Sequence, residues 1–190
     1  MDISLTRRAT IFAALAASMT TASAHAQNGG HMTTDTDHRH DWDWLVGEWN
    51  VHHRRLKQRL ANANDWEEFN GSCKHWLTMN GHGNVDDNVV EIPSGAYRAM
   101  GIRAFNPTTG KWAIWWLDER SPDRIEPPVY GSFSNGIGRF EGDDTFNGQP
   151  IRVYFQWSEI TASSARWEQA FSTDGGATWE VNWVMHFTRA

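Results

Sequence analysis

Thr178-Trp-Glu-Val-Asn-Trp-Val-Met-His-Phe-Thr188 is the stretch that decides the fold, because its apolar and polar residues alternate. A period of two residues is typical of a β-strand with one face in a core and the other in water. The residues expected on the inner face are Trp179, Val181, Trp183, Met185 and Phe187. The residues expected on the outer face are Glu180, Asn182, Val184 and His186.

The same alternation recurs upstream, in Ile151–Ile160 and Ala165–Phe171, and turn signals return about every ten residues from residue 43 onward. Asn106-Pro-Thr-Thr-Gly110 is the clearest of these turns. About ten strands follow one another with short connections, and closing such a meander removes its exposed edges. We therefore predict an all-β chain with a single antiparallel up-and-down β-barrel over residues 43–190.

The chain begins with features typical of an export signal. Arg7 and Arg8 precede an alanine-rich apolar run that is too short to span a bilayer, and small residues suited to cleavage end it near Ala26. We interpret residues 1–26 as a signal peptide, of either the twin-arginine or the ordinary secretory type. The polar residues 27–42 then read as a flexible leader. The expected location of the mature protein is outside the cytoplasm, in the periplasm.

Charge and cysteine content narrow the function further. The formal net charge is −6, and it becomes −7 when Asp2, Arg7 and Arg8 leave with the signal peptide. An acidic surface argues against nucleic acid or an anionic membrane as partner, and no later apolar run could insert the mature chain in a membrane. Cys73 is the single cysteine, so no internal disulfide can form. The oligomeric state stays open.

Two motifs carry a resemblance to known families. Gly47-Glu48-Trp49, at the start of the first strand, resembles the G-x-W signature of lipocalins and their calycin relatives. Together with Arg103–Trp112 and Trp183–Phe187, it makes the chain similar to bacterial exported proteins of unknown function with a calycin-like barrel. That resemblance implies a fold, with Trp49 at the barrel base, and no established reaction.

The second motif lies just before the last strand. Ser172-Thr-Asp-Gly-Gly-Ala-Thr-Trp179 resembles an Asp-box, the hairpin turn of sialidase-type propellers and other β proteins. The resemblance implies that Asp174 accepts hydrogen bonds from turn amides and that Trp179 packs under the turn. It predicts a structural hairpin and no catalytic group.

Tryptophan is unusually abundant, with 12 residues, and two explanations are open. The rings either fill an aromatic core or line a cavity for an apolar or planar ligand. Inward polar residues would orient such a ligand. We predict that the ligand-binding residues are Trp49, His53, His75, Arg103, Trp116, Arg120, Trp167, Gln169 and Trp183.

The leading hypothesis is therefore a cell-envelope protein that binds a small apolar or aromatic molecule. The first alternative is an enzyme, a hydratase, isomerase or hydrolase, that uses His53, His75 and Asp118 for acid–base chemistry in the same cavity. The second alternative is a structural module with a filled core. Cys73 followed by His75 on one strand face also suggests a nucleophile with its base, although an inert buried cysteine fits the same pattern.

No cofactor or metal is expected. Nitrobindin barrels, which are also calycin-like, hold haem through one late histidine, and His186 is the counterpart here, but its face is the polar one. His52 and His53 are adjacent and must point to opposite faces of a strand, which does not suit zinc. The acidic runs Asp86–Asn88 and Glu141–Asp144 could seat calcium only if they formed turns.

Overall fold

The computed structural model describes residues 37–190. The predicted signal peptide and residues 27–36 of the predicted leader lie outside this described part. Within residues 37–190, no helix is long and apolar enough to cross a membrane.

The described chain forms a closed barrel of ten antiparallel strands, which confirms the predicted fold class. Each strand pairs with the next along the chain, and the last strand returns to pair with the first, from Trp49 opposite Arg189 to Arg55 opposite Trp183. The strands are β1 (Gly47–Leu56), β2 (Trp66–Thr78), β3 (Gly83–Ile92), β4 (Gly95–Asn106), β5 (Lys111–Asp118), β6 (Val129–Ser134), β7 (Ile137–Phe146), β8 (Gln149–Ser158), β9 (Ser164–Ser172) and β10 (Glu180–Arg189). Three short 3-10 helices accompany them, at His38–His40, Asp43–Leu45 and Met79–Gly81.

Alternation along β1 shows how the sequence builds the barrel wall. Trp49, Val51 and His53 are buried in the lumen, whereas the intervening Asn50 and His52 are exposed. A strand places successive side chains on opposite faces, so the alternate residues of β1 all point inward. The same pattern brings Phe69, Cys73 and His75 of β2 inward.

The predicted inner face of β10 is correct only for its second half. The register against β9 shifts between Val181 and Trp183, so that Asn182 is an extra residue in β10. Trp183, Met185 and Phe187 are buried inside. Trp179, before the shift, packs against Tyr154 with ring centroids 4.9 Å apart and lies under the Arg139 guanidinium, among residues of the outer face. The prediction was wrong for Trp179 and Val181, because a bulge moves side chains to the other face.

One end of the barrel is closed by an aromatic floor. Trp42 is fully buried there, with ring centroids 4.9 Å from Phe133, 5.7 Å from Phe140 and 6.0 Å from Trp112. Asp41 accepts a hydrogen bond from Trp112 Nε1 at 2.8 Å. Asp41 and Trp42, at the end of the predicted leader, are thus part of this packing.

Trp49 completes the floor at the start of β1. Its indole Nε1 donates to the Leu45 carbonyl oxygen at 2.7 Å, and the Arg189 guanidinium lies 3.9 Å from its ring centre. Arg189 also donates to the carbonyl oxygens of Val46 and Trp44. The last strand is thereby fastened to the segment that leads into the first strand.

The β9–β10 hairpin is held by its own side chains. Asp174 accepts hydrogen bonds from Thr178 N at 2.9 Å, Thr178 Oγ1 at 2.6 Å and Ser172 Oγ at 2.7 Å. Gly175 and Gly176 take φ angles of 75° and 99°, which favour glycine. These contacts make a rigid turn, while the Asp-box assignment itself rests on the sequence resemblance.

Removing the Trp42 side chain is expected to destabilise the barrel strongly. Trp42→Ala should lower the free energy of unfolding by about 3–5 kcal/mol, because a large buried ring leaves a cavity that its aromatic neighbours cannot fill. Urea unfolding followed by circular dichroism measures the change. Trp76→Ala is the matched control, since Trp76 is 41% exposed and should cost far less. Equal losses for the two variants would contradict the place of Trp42 in the core.

Candidate ligand-binding cavity

The half of the lumen away from the floor is hollow. It contains a cavity of about 330 Å³, far larger than the space that a few water molecules need. Aromatic side chains from β8, β9 and β10 form much of the wall: Phe155, Trp157, Trp167, Phe171, Trp183 and Phe187. The end of the barrel away from the floor, where this cavity reaches the ends of β1, β5, β7 and β9, is called the mouth below.

Most of the side chains predicted to bind a ligand or to catalyse a reaction line this one cavity. They are His53, Arg103, Trp116, Asp118, Arg120, Trp167, Gln169 and Trp183. The other two, Trp49 and His75, are buried at the floor and do not line the cavity. Geometry thus brings His53 and Asp118 to one cavity and separates His75 from it, and the binding or catalytic role of each residue stays a prediction.

A buried ion pair forms the inner end of the cavity. Arg103 Nη1 donates to Asp86 Oδ2 at 2.5 Å, and both side chains are at most 7% exposed. Asp86 Oδ1 also accepts from Gly101 N at 2.9 Å and from the Asn88 amide. A Cβ on residue 101 would lie 2.7 Å from Asp86 Oδ1, so only glycine leaves room for this carboxylate. The pair presents fixed, mutually neutralised charges to the cavity.

The same arginine also shares a hydrogen-bond acceptor with His75. Arg103 Nη1 donates to Asn84 Oδ1 at 3.1 Å, and since a guanidinium can only donate, that atom must be the amide oxygen. His75 Nε2 lies 3.0 Å from the same oxygen and therefore carries the donated proton. Burial, followed by the charge of Arg103, lowers the pKa of His75 to about 4. His75 is a neutral hydrogen-bond donor in the floor.

His53 is held in the cavity wall between two aromatic rings. Trp183 Nε1 donates to His53 Nδ1 at 3.2 Å, and the imidazole stacks on Phe69 with ring centroids 4.8 Å apart. Burial first, and then the charge of Arg55, lowers its pKa to about 3. His53 is consequently neutral, with its proton on Nε2. A Cβ on Gly71 would lie 2.8 Å from Nε2, so glycine at 71 accommodates the ring.

Gln169 owes its orientation to the extra residue in β10. Its Nε2 donates to Asn182 Oδ1 at 2.8 Å, and Asn182 is fully buried. The bulge therefore places a second amide beside Gln169 at the cavity wall.

Charged residues surround the mouth. Arg120 Nη2 donates to Asp118 Oδ2 at 2.5 Å, and the Arg120 guanidinium lies 3.6 Å from the Tyr97 ring centre. The hydrogen bond from Arg120 is the main reason that the pKa of Asp118 is lowered. Arg59, Glu126 and Asp144 also line this part of the cavity.

Several lining residues were missed by the sequence reasoning. Asp86 and Asn88 were considered only as calcium ligands, yet both lie within β3, and their alternation with the buried Val90 could have placed them inward. Glu126 lies within the proline-containing β5–β6 loop and Arg59 lies in the β1–β2 connection, and neither segment has a two-residue period to orient a side chain. Only the three-dimensional closure of the barrel brings them to the mouth.

The side chains considered from the sequence as metal or haem ligands do not come together at one site among residues 37–190. Within residues 37–190, no three histidine, cysteine, aspartate or glutamate side chains group as a metal site. Asp86–Asn88 and Glu141–Asp144 lie in strands and not in the turns required for the calcium hypothesis. His186 is exposed, paired in register with His52.

Burial raises the pKa of the Cys73 thiol, which keeps it protonated and disfavours a nucleophilic role.

Comparison with known proteins supports the fold. No protein-family model and no curated protein matches this chain. Among solved structures it is similar to an S-type phycobiliprotein lyase from Guillardia theta, with a TM-score of 0.54, 9% identity, and coverage of 78% of this chain and 90% of that one. A redesigned β-barrel matches with a TM-score of 0.43 and 10% identity, over 79% of this chain and 95% of the other. The lyase supports a calycin-like barrel and, at this identity, the fold alone.

The neutral buried histidines predict a specific acid sensitivity. Unfolded histidine binds a proton near pH 6.5, whereas folded His53 and His75 do so only near pH 3 and 4. The unfolded state therefore binds more protons as the pH falls from 6.5 towards 4, and stability is lost in that window. Each histidine should contribute a slope approaching about 1.4 kcal/mol per pH unit.

Replacing one histidine tests this linkage. Urea unfolding of the wild type and of His53→Gln, measured between pH 7 and 5, should show a shallower loss of stability in the variant. Gln keeps a hydrogen-bond acceptor for Trp183 Nε1. The same pH dependence in both proteins would contradict a neutral His53.

Proposed function

We propose that this protein is an exported binding protein that holds a small apolar or aromatic molecule in its barrel cavity. The observation that carries the proposal is the 330 Å³ cavity itself, with tryptophan and phenylalanine side chains in its wall. Protein cores are ordinarily packed without such space, and ligand pockets are concave, mostly apolar and supplied with a few polar groups. Export is inferred from the sequence of residues 1–26.

The polar groups of the cavity support binding because their geometry is already fixed. His53 is held by Trp183, Gln169 by Asn182, and Asp86 by Arg103. Groups that are held before a ligand arrives lose little freedom when it binds, which favours affinity and orientation. The similar solved structure is named a phycobiliprotein lyase, and at 9% identity its likeness to this chain supports the barrel fold alone.

Two alternatives have weaker support. Acid–base catalysis would need a group that changes protonation near neutral pH, whereas His53 has a pKa of about 3 and Asp118 is paired with Arg120. A purely structural module would need a filled lumen, which is at odds with the cavity. Binding is the function that these residues fit best.

A neutral fluorescent probe tests the binding proposal. N-phenyl-1-naphthylamine should bind saturably, with enhanced probe emission and quenched tryptophan emission, because Trp167 and Trp183 line the cavity. Val153→Trp should weaken this binding at least about tenfold, since Val153 also lines the cavity and a larger ring would fill it.

The control substitution is Thr188→Trp, at an exposed position of β10. It adds the same ring outside the barrel and should leave probe affinity unchanged. Circular dichroism and urea unfolding establish that both variants fold. Failure of the wild type to bind the probe saturably, or equal affinity in a folded Val153→Trp, would refute the proposal.

A further inference from the structure

Arg59 is a cation at the mouth that lies over aromatic rings, and the nearby carboxylates of Glu67 and Glu180 are bound to Arg55 and to the Leu60 N–H. Its guanidinium carbon lies 5.8 Å from the ring centre of Phe146, 5.9 Å from Phe171 and 6.0 Å from Trp183. Within residues 37–190, Arg59 has neither an ion pair nor a side-chain hydrogen bond. It lines the cavity, so its charge faces the space that a ligand would occupy.

The other two arginines of the mouth are already paired. Arg55 donates through Nε and Nη2 to Glu67 Oε1, at 2.9 and 2.6 Å. Arg120 is paired with Asp118. Arg59 is therefore the cationic group that remains available to a ligand, and burial followed by the charge of Arg55 lowers its pKa. A guanidinium remains protonated at neutral pH despite such a shift.

The position of Arg59 is fixed by the next residue. Leu60 has a φ of 57°, a left-handed conformation that leucine rarely adopts, and its side chain packs against the core. Its backbone N–H donates to both Glu180 carboxylate oxygens, at 2.8 and 3.0 Å. An uncommon backbone conformation persists only where its surroundings hold it. The segment at residues 57–65 thus holds Arg59 over the three rings.

We propose that the ligand of this cavity is an aromatic or apolar carboxylate, whose acid group binds to the guanidinium of Arg59 while its body lies along Trp183 and Phe171. A guanidinium binds a carboxylate through two parallel hydrogen bonds, and it does so more strongly where aromatic rings exclude water. This inference rests on the proposed binding function and names the chemical class of its ligand.

Two acidic residues at the mouth could instead favour a cationic ligand. Glu126 and Asp144 lie where β5 and β7 reach the mouth and have no ion pair within residues 37–190. Burial, followed by the charge of Asp144, raises the pKa of Glu126 and disfavours its anionic form, whereas the guanidinium of Arg59 stays protonated beside its rings. The cation of Arg59 should therefore decide the preference, and tighter binding of a cationic ligand would show the reverse.

Three naphthalene probes of the same shape separate these outcomes. Naphthalene-2-carboxylate, naphthalene-2-carboxamide and 2-naphthylmethylammonium are titrated by calorimetry into the full folded protein. The carboxylate should bind at least about tenfold more tightly than the carboxamide, because only the carboxylate forms an ion pair with Arg59. Added salt should reduce that preference.

Substitution of Arg59 identifies the residue responsible. In Arg59→Gln, the preference for carboxylate over carboxamide should fall to about one, with carboxamide affinity little changed. Arg59→Lys keeps the charge and should keep part of the preference. Arg54→Gln is the matched control, because Arg54 is exposed on the outer face and paired with Glu68. It should retain the full wild-type preference.

Each remaining result has a defined meaning. Equal wild-type affinity for carboxylate and carboxamide, tightest binding of the ammonium probe, or a preference unaffected by Arg59→Gln would overturn the carboxylate proposal and leave the binding function intact. The carboxylate proposal also fails if none of the three probes binds while N-phenyl-1-naphthylamine does. If N-phenyl-1-naphthylamine fails as well, the binding function itself is refuted.

Discussion

The buried ion pair between Asp86 and Arg103 is the interaction on which the interior of this barrel depends. Two charges cannot stay in a lumen without partners, and loss of either would leave the other uncompensated at a cost of about 3–5 kcal/mol. Arg103 also extends beyond the pair, with its guanidinium 4.6 Å from the Trp42 ring centre and a hydrogen bond to Asn84. A single side chain thereby connects the cavity to the floor and aligns β3 with β4.

The barrel interior has two halves, and aromatic residues have a different role in each. Trp42, Trp49 and Trp112 are at most 1% exposed and form the solid floor. Trp167 and Trp183 face the cavity and form its wall. The abundance of tryptophan thus reflects two requirements at once, a stable closed end and an apolar surface at the open one. Composition could not assign a given ring to either requirement, because both sets of rings point into the same barrel interior.

The strands were predictable because a half-buried strand imposes a period of two on its sequence, as β1, β8 and β9 show. The prediction failed where another interaction controls a side chain. A bulge at Asn182 moved Trp179 to the outer face, and Trp42 lies in the floor although the residues before it are polar. Arg59 could not be placed at all, since its position comes from a loop anchored by Glu180, 120 residues along the chain from Leu60.

Cys73 is a buried thiol without a disulfide partner, so the stability of the fold does not depend on cysteine oxidation. The thiol is 3% exposed, its pKa is raised by burial, and the chain has no second cysteine with which it could pair. Stability comes from ring packing, strand pairing and buried polar contacts, none of which requires an oxidant. The barrel can therefore form in a reducing compartment and persist unchanged in an oxidising one, so that the redox state of its environment does not determine whether the protein is folded.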